Sequence, residues 1–232
     1  LNVFSSNMIK AINPVIVKAE GEGKRSNMLD LSLAGCRYSF FLYTLFAIPC
    51  LLEADYVLKL WLKNVPDWAV LFCRLQILRT MLEQLTNALG MALMAEGHIM
   101  KINIVNLVLS ILTFISLYLL YSFGFLPYWH FIISIIFMVI IESCFKIYYC
   151  SRYCHLSIKY FIRNVFVRCV LCAVIPFLVG LYFVSEFEGQ GFLRLCLTSV
   201  ICTTILIMVL FSIGMNKQEK NLIVRNMFTN MH

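Results

Sequence analysis

Most of the residues that could do chemistry sit in one otherwise apolar segment, Ala69–Ala95. Gln76, Thr80, Glu83, Asn87 and Gly90 recur there at spacings of four, three, four and three. At 3.6 residues per turn, those spacings set all five on one face of a helix. Arg79 borders the stripe four residues before Glu83, so the two can pair along the helix. The basic-first order is the weaker of the two orientations. At 1.5 Å per residue the pair lies roughly 15–20 Å from the outer end of the segment, near the middle of a bilayer. A polar face at that depth must meet protein or water, because lipid offers it no partner. Its chemistry would be the binding of a polar or charged solute in a water-filled cavity. For Gln76, Thr80 and Asn87, hydrogen bonding between helices explains the pattern equally well. A buried ion pair is expensive to keep without use, so Arg79 and Glu83 are assigned to the cavity. Arg74 stands close to the outer surface. Arg37 is two turns from the inner end of its own segment and can snorkel. Glu142 and Lys146 form the better-oriented pair four apart and read as an inner-face anchor.

Other reactive residues carry less. The chain has ten cysteines. Cys169-x-x-Cys172 falls inside an apolar segment, where cysteine behaves as a small hydrophobe. Cys150-x-x-x-Cys154-His155 straddles a membrane edge and offers no fourth zinc ligand. His98, His130 and His232 occur singly in or near connections. No metal or cofactor is expected, and no carboxylate–histidine cluster recurs at helical spacing to suggest an enzyme.

The elements that position these residues are six apolar stretches: Leu31–Leu52, Ala69–Ala95, Ile102–Ser122, Tyr128–Cys150, Val165–Val184 and Leu193–Gly214. A hydrocarbon core about 30 Å thick needs about 20 helical residues to cross it, and each stretch meets that length. The chain is 61% hydrophobic and 13% charged, against roughly 25% charged in a soluble domain. An all-α, polytopic transmembrane helix bundle follows. The net charge of +7 reads as topology and not as nucleic-acid binding. Lys18, Lys24, Arg25, Lys101, Arg152, Lys159 and Arg163 occupy alternate connections, and Lys217, Lys220 and Arg225 occupy the tail. The acidic or neutral connections hold Glu53, Asp55, Lys59, Lys63 and Asp67, then Phe123–Pro127, then Glu186 and Glu188. The positive-inside rule puts the basic set and the C-terminus in the cytoplasm.

Residues 1–17 are too polar and too short for a span, and they lack a signal peptide's charged leader and cleavage site. They are expected to form the inner end of a helix whose beginning is missing. The alternative is a short interfacial helix. The expected organisation is therefore 1–17 as a truncated helix, 18–214 as a six-span bundle, and 215–232 as a cytoplasmic tail.

Two connections have a definite shape. Pro14 is followed by Lys18 and by the turn Glu20-Gly21-Glu22-Gly23-Lys24-Arg25. The amphipathic outer segment Glu53–Trp68 carries Leu60-Trp61-Leu62 and Pro66, with Trp61 and Trp68 suited to the aromatic belt. After the polar span comes Ala95-Glu96-Gly97-His98-Ile99-Met100-Lys101. In this order and spacing the chain resembles, over nearly its whole length, the Wzx-like polysaccharide flippases of the multidrug/oligosaccharidyl-lipid/polysaccharide exporter superfamily. His98 departs from the lysine common at that position. The resemblance implies the second six-helix bundle of a transporter of twelve to fourteen spans, with the first bundle absent. It implies movement of an undecaprenyl-pyrophosphate-linked oligosaccharide across a bacterial inner membrane, for O-antigen or capsule synthesis. Cationic cavity residues would hold the pyrophosphate, with Arg79 first, then Arg74 and Arg37. Glu83 would couple transport to protons, and Gln76, Thr80 and Asn87 would line the cavity. The matched Pro14, Lys18, Gly23, Trp61, Pro66, Gly97 and Lys101 are structural in that family.

Three alternatives remain open on sequence. A multidrug or cation antiporter of the same superfamily would share the architecture. A membrane polymerase or acyltransferase would need reactive groups on a longer outer loop than any here. A non-transporting scaffold would tolerate neutralisation of Arg79 and Glu83.

Overall fold

The computed structural model describes residues 2–62, 64–187, 189 and 191–215, and their regular structure is entirely helical. Eight helices follow one another in it: α1 (Asn2–Gly21), α2 (Arg25–Leu52), α3 (Ala54–Trp61), α4 (Ala69–Ala95), α5 (Ile99–Ser122), α6 (Trp129–Tyr153), α7 (Ile158–Glu186) and α8 (Phe192–Gly214). Five of them, α2, α5, α6, α7 and α8, are long and apolar enough to cross a membrane. The sixth expected span, α4, has the length but not the apolarity, because its polar stripe lowers its hydropathy. Lys63, Glu188, His232 and the tail with Lys217, Lys220 and Arg225 lie outside the described residues.

The helix ends explain where the expected boundaries move. The polar stretch 18–30 contracts to the turn Glu22–Lys24, since α1 runs on to Gly21 and α2 starts at Arg25. Gly23 has φ +72°, and the amides of Gly23 and Lys24 donate to the carbonyls of Glu20 and Ala19. This is the paired capping pattern that stops a helix with a left-handed glycine. Gly97 (φ +99°) repeats it at the end of α4, with Gly97 and His98 donating to Met94 and Leu93. A side chain at either glycine would be strained. Lys18, Glu20, Arg25 and Asp30 thus lie in helices, while Glu22 and Lys24 stay in the turn.

Helix α2 is the hub. Two thirds of its apolar window (67%) is buried, and α1, α4, α7 and α8 pack around it. Met28, Leu33, Cys36 and Phe40 join Leu89, Ala92 and Leu93 of α4 and Val165, Cys169 and Cys172 of α7 in one core. The cysteines of this core are free thiols filling space. Helix α5 is the opposite case, with only 6% of its window buried. Its apolar side chains point outward nearly all round, as lipid contact requires.

Close approach of α7 to its neighbours depends on Gly180. A Cβ there would lie 2.5 Å from Leu52 Cδ1 and 2.6 Å from Cys202 Sγ. Gly180→Val should therefore destabilise by about 1–3 kcal/mol through overpacking. The check is thermal unfolding in detergent, where an unchanged transition would show that the three helices separate freely.

Candidate functional site

The polar stripe of α4 forms as a helical face, and polar residues beside it engage two neighbours. Arg79 Nη2 lies 3.1 Å from Glu83 Oε1, the expected pair along the helix. Gln76 Nε2 donates to Thr80 Oγ1 at 3.3 Å. One turn further on, Thr86 Oγ and Ser143 Oγ of α6 are 2.8 Å apart and bridge the two helices. Gln84 faces the other way, donating to Asn2 Oδ1 of α1 at 3.4 Å.

Helix α6 brings the second ion pair to the same place. Lys146 Nζ is 2.7 Å from Glu142 Oε1, with each side chain only 15% exposed. The Lys146 stem passes over Gly90 of α4, where a Cβ would lie 3.6 Å from Lys146 Cε, at ordinary contact distance. A π-helical turn, Ile136–Ile141, ends directly before Glu142. Such turns insert one extra residue into the helical register and frequently mark functional positions.

Between α4 and α6 lies a cavity of about 220 Å³, lined by Glu83, Thr86, Asn87, Met138, Glu142, Ser143 and Lys146. Helix α5 closes the far side of α6. Asn106 packs beside Glu142 and Lys146, and its buried Oδ1 has no hydrogen-bond donor. Ser110 donates to the Asn106 carbonyl at 2.7 Å, and Met138 Sδ lies 3.9 Å from its oxygen. Two ion pairs, two amides and several hydroxyls thus converge where three helices meet.

Of the expected cations, only Arg79 borders this centre. Arg74 is held beside α3, donating to Asp55 Oδ2 at 2.7 Å and to the Leu51 carbonyl at 3.2 Å. Arg37 is 3% exposed within the α2 core, with its guanidinium 6.0 Å from the Tyr38 ring centre. Neither lines the α4–α6 cavity. Glu83 and Asn87 do; Gln76 and Thr80 continue the same face toward the N-terminal end of α4 without lining the cavity itself.

Two further clusters hold the helix ends. At the basic face Arg25 pairs with Glu20 and Glu96 and donates to the Tyr153 carbonyl. His98 Nδ1 lies 2.9 Å from Glu96 Oε2, and Lys101 Nζ donates to Tyr153 Oη at 2.9 Å. The glycine turns at 23 and 97 and Lys101, which contribute to the family resemblance, all sit in or beside this clamp. At the opposite face Glu53, 1% exposed, receives Arg194 Nη2 at 2.8 Å and Thr198 Oγ1 at 3.4 Å.

Sequence reasoning set Glu142 and Lys146 aside as an anchor and passed over Asn106. A signal was there: Asn103, Asn106, Ser110 and Thr113 recur at spacings of three, four and three, the same rhythm that marks α4. Arg194 had no such signal, because its partner is 141 residues away.

Together, the composition and these helices define a multi-pass membrane protein with a charged centre among apolar spans. No protein-family model matches the chain, and neither curated proteins nor solved structures give a significant match to it.

Proposed function

We propose that the chain is the second six-span bundle of a flippase that moves a lipid-linked oligosaccharide across the bacterial inner membrane, with its C-terminus in the cytoplasm. On this reading α4 is the sixth span, and its polar face borders the transport pathway instead of lipid. The observation that carries a transport role is the convergence of Arg79–Glu83 and Glu142–Lys146 on one cavity between α4 and α6. Charges at membrane depth are costly and mark solute pathways. The choice of a pyrophosphate-linked sugar rests on the ordered motifs around Gly23, Trp61, Pro66 and Gly97.

Arg79 is the group proposed to meet the pyrophosphate, since a guanidinium fork matches phosphate oxygens. It would have to exchange Glu83 for the substrate, which leaves Glu83 free to take a proton and so couple the two events. The protein is then a transporter and not an enzyme, requires no cofactor, and works with the bundle that would precede it.

The test is Arg79→Ala in the full-length protein. Surface polysaccharide should disappear while membrane insertion stays normal, and normal polysaccharide in that variant would overturn the assignment. Because two carboxylates face the cavity, a cation-coupled drug exporter is the second reading. It predicts drug sensitivity on deletion with polysaccharide unchanged.

A further inference from the structure

We infer that the cavity between α4 and α6 is a subsite for a single uncharged sugar ring, distinct from the place that holds the phosphate. This rests on the flippase reading above and specifies which part of the substrate meets which helices. The lining decides the chemistry. Glu83 and Glu142 bring two carboxylates to the cavity and Lys146 brings one ammonium. The site carries no net positive charge in either state of the flippase reading: Arg79 balances Glu83, or Glu83 takes a proton when Arg79 turns to the pyrophosphate, and Lys146 balances Glu142 in both. A pyrophosphate would find no surplus cation there and would lie against carboxylate oxygens that repel it.

A polyol meets a better match. Carboxylate oxygens accept from hydroxyls, an ammonium donates to them, and the Asn87 amide does both. The hydroxyls of Thr86 and Ser143, already 2.8 Å apart, can each turn to a third partner. Met138 supplies an apolar surface for the C–H side of a ring. Size agrees as well. The volume of about 220 Å³ falls short of the roughly 300 Å³ or more of drug-sized pockets. One ring fits where an oligosaccharide does not, so the remaining sugars would extend along the pathway.

The walls are on different helices, with Glu83, Thr86 and Asn87 on α4 and Glu142, Ser143 and Lys146 on α6. A ring bound between them would bridge the two helices and compete for the Thr86–Ser143 bond. Sugar identity would thereby be read by the relative placement of α4 and α6.

The test uses the full chain in lipid nanodiscs with Ser143→Cys, and in a second preparation Asn87→Cys from the opposite wall. Each introduced thiol is labelled with a small water-soluble methanethiosulfonate, with the unsubstituted protein subtracted as background. The probes are free methyl glycosides of common hexoses, 6-deoxyhexoses and N-acetylhexosamines, with inorganic pyrophosphate as the comparison. At least one glycoside should slow labelling at both positions by the factor 1 + [L]/Kd, about threefold at twice its Kd, and pyrophosphate should not. Failure of every glycoside, protection by pyrophosphate, or thiols that do not label without sugar would each overturn the subsite. These outcomes are separate from the polysaccharide phenotype of Arg79→Ala. Loss of polysaccharide there without glycoside protection here would reject the subsite and keep the flippase.

Discussion

Glu53→Ala should remove about 3–5 kcal/mol of stability, the cost of stranding a buried charge. Glu53 is 1% exposed, and the side chain of Arg194 is 11% exposed. Their bond ties the junction of α2 and α3 to the start of α8, and Thr198 completes it. Among the described residues Arg194 Nε is buried without a partner, and loss of Glu53 leaves the guanidinium only the Phe187 carbonyl at 3.4 Å. The thermal transition in detergent should fall by on the order of 10 °C. The pair need not be favourable in net terms, because desolvation offsets much of its attraction. Glu53→Gln combined with Arg194→Met should therefore recover most of the loss. A double variant as unstable as Glu53→Ala would mean that the two residues support the fold separately.

The same pair shows which parts of this protein are legible in its sequence. The helices were readable because length and hydropathy are local properties. Those expected at Ala69–Ala95 and Leu193–Gly214 start within a residue of the observed helices and end with them. The Arg79–Glu83 bond was readable for the same reason, being fixed by 3.6 residues per turn. Helix ends were less legible: 18–30 read as a loop because its charges are polar, while the Gly23 cap lets α1 and α2 close over all but three of those residues. The α4–α6 cavity was not legible. Glu142 lies 59 positions beyond Glu83, and only the packing of α6 against α4 decides that the two line one space. The sequence already separates Arg79 at mid-depth from Arg74 and Arg37 nearer the ends of their segments. What it does not show is that Asp55 holds Arg74 and that Arg37 is enclosed within the α2 core instead of snorkelling.

On the proposed flippase reading, Lys146→Met should abolish surface polysaccharide and also weaken the fold, and the two effects are separable. The substitution takes the one ammonium from a cavity that Glu83 and Glu142 share. Glu142 loses its 2.7 Å partner while Glu83 keeps Arg79, so an unpaired carboxylate is left beside a like charge. Removing one member of a buried pair typically costs about 3–5 kcal/mol, and with each side chain 15% exposed the lower end applies here. Lys146→Arg should preserve both stability and surface polysaccharide, since the ion pair to Glu142 survives. Glu142→Gln with Lys146→Met removes the whole pair. Its thermal transition should return close to that of the unsubstituted protein, because no charge is left stranded. If the pair were only an anchor, polysaccharide would return with stability. If the cavity needs its carboxylate and ammonium to hold substrate, stability returns and polysaccharide does not. That second result is the expected one. An anchor of this kind would work at any depth on α6, whereas this pair lies directly after the π-helical turn and lines the cavity that Glu83 shares.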